Sequence, residues 1–183
     1  MSTLDQSFET IIAWMRANGA SSVADNLAPG ATPAALAAST VMFGFPIEGE
    51  LRALWAIHDG QREEQHGFVE YYDLCSMQLA RVSVDDIFFA LEMIRPGEQT
   101  KDSGLTAAEQ ASKAWVRLAA RDSDGYAVNV ESGRVFALEH DETPPLKLVA
   151  PSVSAWLADY AARVVAGEYD VDDGYGDVFL SRR

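Results

Sequence analysis

With 183 residues, 48% hydrophobic and 23% charged, the chain can bury the core of one domain and is short for two. Fourteen Lys and Arg against 28 Asp and Glu leave a formal charge of −14. That charge repels phosphate backbones and anionic lipid heads, so it counts against direct binding of nucleic acid or membrane and favours basic partners.

The first stretch, "MSTLDQSFETIIAWMRANG", spaces Leu4, Phe8, Ile11, Ile12 and Met15 as one face of a helix and supplies Gly19 as its stop. It carries acids early and interrupts its apolar residues, unlike a secretory signal. No apolar run in the chain approaches the length of a membrane span, so a cytoplasmic protein is expected. Thr32 followed by Pro33 reads as an N-cap with proline at the first helical position, opening an alanine-rich helix to about Phe43. Gly44-Phe45-Pro46 breaks the chain before a further helix whose Leu51, Leu54 and Trp55 share a face. Ser83 with Asp86 three residues on resembles a capping box, opening a helix that buries Val84, Ile87, Phe88, Leu91 and Ile94 and ends at Pro96-Gly97. Residues 95–106 read as a loop.

The second half changes period. Runs at 115–119, 126–130 and 134–139, separated by "DSDG" and "ESGR", read as strands joined by hairpin turns. "LKLVA" (146–150) is a fourth strand after the stiff Thr143-Pro144-Pro145, and "GFVEYYDL" (67–74) holds a shorter or edge strand. Val153, Trp156, Leu157, Tyr160 and Val164 mark a closing helix that ends at Gly167. Tight turns pair strands antiparallel, so the expected fold is α+β: one domain, with an antiparallel sheet of about four to six strands flanked by helices.

"LWAIHDGQ" (54–61) sets His58 beside Asp59 and Gly60. Adjacent helical residues point about 100° apart, so the aspartate cannot orient the imidazole, and the stretch reads as a helix end. The three histidines (58, 66 and 140) lack metalloprotease spacing, and one cysteine cannot build a zinc ribbon. A calcium loop starting at Asp170 would need glycine where Tyr175 stands and glutamate where Ser181 stands; one starting at Asp122 meets Ala127 and Gly133 instead. No Gly-rich nucleotide loop or nucleophile elbow appears, and Cys75, set among Tyr72, Leu74 and Met77, reads as a buried structural thiol. The sequence therefore suggests no catalytic residue, no cofactor and no metal.

Acids cluster with aromatics instead. "LEHDE" puts Glu139, Asp141 and Glu142 at a strand end, with Asp122, Asp124 and Tyr126 at the neighbouring hairpin. "GEYDVDDGYGD" (167–177) gathers Glu168, Tyr169, Asp170, Asp172 and Asp173 without a base. Tyrosine supplies packing area and carboxylates pair with Arg and Lys, so these are candidate partner-binding residues. Residues 170–177 read first as a solvated, mobile end, and 139–142 read equally as a solvated stretch or a docking surface.

Three blocks in order resemble the SUKH superfamily, which includes the fungal cell-wall-assembly regulators of the Smi/Knr type. They are "ATPAALAASTVMFGFPIEGELRALWAIHDGQ" (31–61), "AWVRLAARDSDGYAVNVESGRVFALEHD" (114–141) and "LVAPSVSAWLADYAARVVAGEY" (148–169). Asn129 stands where many relatives carry aspartate, and 95–113 lacks a family pattern. The resemblance implies a single SUKH-like domain over 1–183, with 1–30 as a helical extension and 168–183 as an acidic tail. It also implies an immunity protein that blocks a polymorphic toxin, commonly a nuclease or deaminase delivered by contact-dependent, type VI or related systems. Such a protein is a stoichiometric binder of a basic toxin, without turnover. The alternative it implies is a regulatory or scaffold protein acting on an endogenous partner.

Overall fold

Five strands follow one another across the main sheet in chain order: β1 (Asp73–Leu74), β2 (Trp115–Arg121), β3 (Asp124–Asn129), β4 (Val135–Leu138) and β5 (Leu146–Ala150). Every neighbouring pair is antiparallel, as the tight turns require. The structure is a computed structural model describing residues 2–63, 66–94, 100–173 and 178–183. Helices α1 (Thr3–Ala17), α2 (Ser21–Asp25), α3 (Pro33–Phe43) and α4 (Gly49–Ile57) precede the sheet. Between β1 and β2 come α5 (Met77–Val82), α6 (Asp85–Met93), α7 (Thr100–Ser103) and α8 (Ala107–Ala111). The chain closes with α9 (Val153–Val165) and a hairpin of β6 (Tyr169–Asp172) and β7 (Phe179–Arg182). This is one α+β domain. Among the described residues no helix is long and apolar enough to cross a membrane.

Both faces of the sheet are covered, which explains why β2 reads as a nearly unbroken apolar run. Val116, Val128 and Val135 face a main core shared with Leu4, Phe8 and Ile11 of α1 and with Leu157 and Val164 of α9. Trp115, Ala127, Phe136, Leu138 and Leu146 face a second core closed by Ile87, Ala90 and Leu91 of α6. The segment set apart as a helical extension is therefore part of the main core, where α1 packs along α9. The acidic tail is a paired hairpin whose Tyr169 and Leu180 are buried.

Local signals match local structure at most helix ends. Ser2 and Asp5 form a capping box on α1, Thr32 caps α3 through Ala35 N–H, and Ser152 caps α9 through Ala155 N–H. Gly44 ends α3 in the left-handed conformation. Ser83 differs from its expected role. It closes α5 and donates its hydroxyl to Leu79 O, while α6 starts from Val84 without a side-chain cap. Two consecutive short helices leave Ser83 nearer to the carbonyls it follows than to the N–H groups it precedes. Val84 and Phe88 are only partly buried. Residues 95–106 are not wholly a loop, because Thr100–Ser103 form a helical turn; Pro96 and Gly97 lie outside the described residues. In "GFVEYYDL" only Asp73–Leu74 is strand, at the sheet edge, and Val69 and Tyr72 bridge a turn around Glu70 at φ 58°.

His58 and Asp59 part company. His58 is the C-cap of α4, and its Nδ1–H donates to Ala28 O at 2.8 Å, since a carbonyl can only accept. Its ring meets Phe8 edge-on. Asp59 Oδ1 accepts from Met77 N–H at 2.8 Å and so caps α5 instead. The pair joins three segments and does not act as a dyad. Cys75 is fully buried.

Candidate partner-binding site

The site grows from the β2–β3 turn. Asp122 takes φ 51° there, and at Gly125 a Cβ would lie 2.1 Å from Ala119 O, so only glycine fits. Behind the turn the Arg117 side chain is completely buried. Its Nη1–H donates to Ser123 O at 3.1 Å, a second N–H donates to Asp124 O, and Asp86 of α6 lies 3.6 Å away. Burial lowers the guanidinium's pKa, while Cys75 and the carboxylates of Asp86 and Asp124 oppose that shift. Arg117 thus ties the turn to α6 from inside.

The loop between β4 and β5 closes over this turn. Asp124 Oδ1 accepts from His140 backbone N–H at 2.9 Å and from the ring Nδ1–H at 2.8 Å. A carboxylate only accepts, so the proton is on Nδ1. Nε2 lies 3.3 Å from Asp141, which places the imidazole between two carboxylates. The hydrogen bond to Asp124 raises the His140 pKa, helped by the charges of Asp124 and Asp141. Partial burial alone would raise Asp124, but the hydrogen bonds from His140 outweigh it and the net shift is downward. Glu139 N–H donates to Pro145 O and Glu142 N–H to Glu139 O, folding 139–145 tightly around a cis Thr143–Pro144 bond. Glu142 has Lys147 at 3.4 Å. The Asp141 side chain is 91% exposed.

Between this loop and α6 lies a cavity of about 320 Å³. Asp86, Phe89 and Met93 line it from α6, and Leu138, Pro145, His140, Asp141 and Glu142 from the sheet side. Phe89 is 63% exposed and Met93 58%. Residues 86, 89 and 93 fall on one stripe of α6, and 87, 91 and 94 on the stripe facing the second core, with Ala90 at the border touching both. The cavity therefore has an apolar floor and an acidic rim. It can accept a cationic group with an aliphatic stem; an anion would meet like charge.

Of the expected partner-binding residues, Asp124, Asp141 and Glu142 come together here, with Glu139 folded into the same loop and Asp122 exposed on the adjoining turn. Tyr126 and Tyr169 lie away from this group and are engaged within the fold. Tyr169 is buried, and its hydroxyl donates to Glu70 Oε1 at 2.7 Å. Tyr126 packs on Trp156 of α9 and donates to Glu70 Oε2 at 3.2 Å. Burial raises both phenol pKa values. Glu70 also lies 3.6 Å from Arg163, so this group fastens α9 and the hairpin to the turn at 68–72. The hairpin acids are engaged locally: Glu168 with Arg163 at 3.2 Å and Asp170 with Arg183 at 2.9 Å. Asp172 ends β6, and Asp173 follows it exposed.

Composition alone did not point to Asp86, Phe89, Met93, His140 or Glu70. A usable signal was nonetheless present in "DDIFFALEMI" (85–94), which is apolar on more of its circumference than one core contact requires. Among the described residues no group of three or more His, Cys, Asp or Glu is arranged to hold a metal ion. No model of a known protein family matches the chain, and no curated protein matches its sequence.

Proposed function

We propose that the chain is a cytoplasmic immunity protein that neutralises a basic toxin by binding it, without turnover. The observation that carries this reading is the convergence of Asp86, Asp141 and Glu142 with the exposed Phe89 and Met93 around one cavity. Contiguous exposed apolar surface rimmed by polar groups is a feature of protein interaction sites, and Phe89 and Met93 lie one turn apart beside the acidic rim. The formal charge of −14 supports a basic partner, and a toxin that works on nucleic acid must carry Lys and Arg to hold phosphate. The SUKH resemblance points to the same class. Occlusion follows if the acidic loop covers the toxin's substrate groove.

The test is co-expression with each protein encoded beside this gene, the immunity reading expecting one of them to be toxic. Cells should survive with the wild-type chain and die with an empty vector. Reversing Asp141 and Glu142 to lysine should weaken toxin binding at least ~10-fold, about 1.4 kcal/mol, with the salt dependence reduced alongside. If no neighbouring toxin is tolerated better in the presence of the chain, the immunity reading fails.

A further inference from the structure

We propose that the cavity between α6 and the β4–β5 loop is an arginine socket, in which one guanidinium side chain of the protein partner is held by Phe89, Met93 and the rim carboxylates. This rests on the immunity reading and makes its contact specific.

Size comes first. At about 320 Å³ the space is at the lower end of small-molecule pockets, which start near ~300 Å³. It has room for one long side chain and none for a helix or strand. Charge comes second. Asp86, Asp141 and Glu142 line it, and each has one cationic or imidazole neighbour on the protein side: Arg117 at 3.6 Å, His140 at 3.3 Å and Lys147 at 3.4 Å. A carboxylate offers about four lone-pair sites, so one neighbour leaves accepting capacity toward the cavity. An anion has no such welcome there.

The apolar floor is an independent pointer, since acids alone would bind any cation weakly. Phe89 and Met93 stand one helical turn apart on the same stripe of α6, both more than half exposed. An aromatic face beside a methionine suits the flat, weakly hydrated guanidinium and its three methylenes better than the compact, strongly hydrated lysine ammonium. Two separated carboxylates match the guanidinium fork in the same sense. His140 faces Asp124 from β3, Asp86 from α6 and Asp141 from its own loop. Its proton competes for the same carboxylates, so arginine uptake should strengthen as His140 deprotonates.

The full chain is titrated with acetyl-Gly-Arg-Gly-amide while the Met93 methyl and the His140 ring are followed by NMR. The methyls of the core residues Met15 and Met77 serve as references. A saturable shift of Met93 and His140 is expected, absent with the citrulline peptide and weaker with the lysine peptide. Phe89→Ala should weaken it about three-fold, in line with a partly exposed cation–π contact. Asp141→Asn with Glu142→Gln should weaken it further, and neither variant touches the core. Raising the pH through the His140 titration should tighten it in the wild type and leave His140→Gln unchanged. The proposal is overturned if citrulline shifts Met93 as arginine does, if lysine binds as well as arginine, if the shifts fall on the β6–β7 hairpin, or if they track self-association. Protection of cells without arginine uptake rejects the socket alone; uptake without protection rejects the immunity reading alone.

Discussion

Glu109 and Arg117 are charged side chains that water barely reaches, and each is held by a different economy of partners. Glu109, 3% exposed, accepts from Thr106, Ser132 and Arg134. Burial by itself would raise its pKa, but these hydrogen bonds and the arginine charge bring it below the usual value. Glu109→Ala should cost about 3 kcal/mol in urea unfolding, because Arg134 and Ser132 lose their shared acceptor inside the fold. A loss within 0.5 kcal/mol, roughly the surface-substitution range, would show that the network is replaceable by water. His140 and Asp124 respond to pH from both sides. His140 is raised above 6.5, so its contribution is complete below that value and disappears as pH rises through the folded pKa. Asp124 is lowered below 3.8, so its contribution is present above that value and disappears as pH falls through its depressed pKa. The stability difference between wild type and His140→Gln should therefore be greatest between about pH 4 and about pH 6.5. Unfolding titrations across pH 3 to 9, a range of about six units around these values, would expose a flat difference if the clamp contributed no energy.

At the scale of elements, the segment after α4 shows how a short stretch can serve several neighbours. Gly60 has φ 72°, and a Cβ there would lie 2.2 Å from Ser76 N. Backbone strain and close packing thus demand glycine together, and Gly60→Ala should destabilise by at least about 2 kcal/mol. Thermal unfolding checks this, with an unchanged midpoint as the contrary result. The expected helix end was correct for His58, whereas the role of Asp59 could not be read locally because its acceptor caps a helix eighteen residues on. Helix α6 makes the same point. Its apolar content was plain, but one stripe meets the second core, whereas Phe89 and Met93 on the other border the cavity and stay more than half exposed.

For the whole molecule, a charge of −14 makes salt act in two opposite directions. Screening relieves repulsion among surface carboxylates, so the melting temperature of the free chain should rise as ionic strength goes from about 20 mM to about 0.5 M. The same screening should weaken binding of a basic partner. Calorimetry on the free chain and titration of the complex measure the two effects separately; partner binding that tightens with salt would move the interface away from the acids. The second helical layer also matters at this scale. By covering the far face of the sheet, α6 brings Asp86 to Arg117 and leaves Phe89 and Met93 beside the β4–β5 loop.

What the sequence determined alone is what neighbours within a few residues decide. Thr32 and Ser152 cap helices because their hydroxyls reach N–H groups three residues on, and the glycine turns set the antiparallel order of β2 to β4. Tertiary structure decided the rest, since burial and pairing depend on residues far apart in the chain. Tyr169 looked like a surface anchor until Glu70, 99 positions earlier, claimed its hydroxyl. Asp86 and Glu142 became one rim only when a helix and a loop from opposite ends of the sheet met across a cavity. Periodicity marks which side chains are apolar, but the packed neighbours choose which of them stay in water.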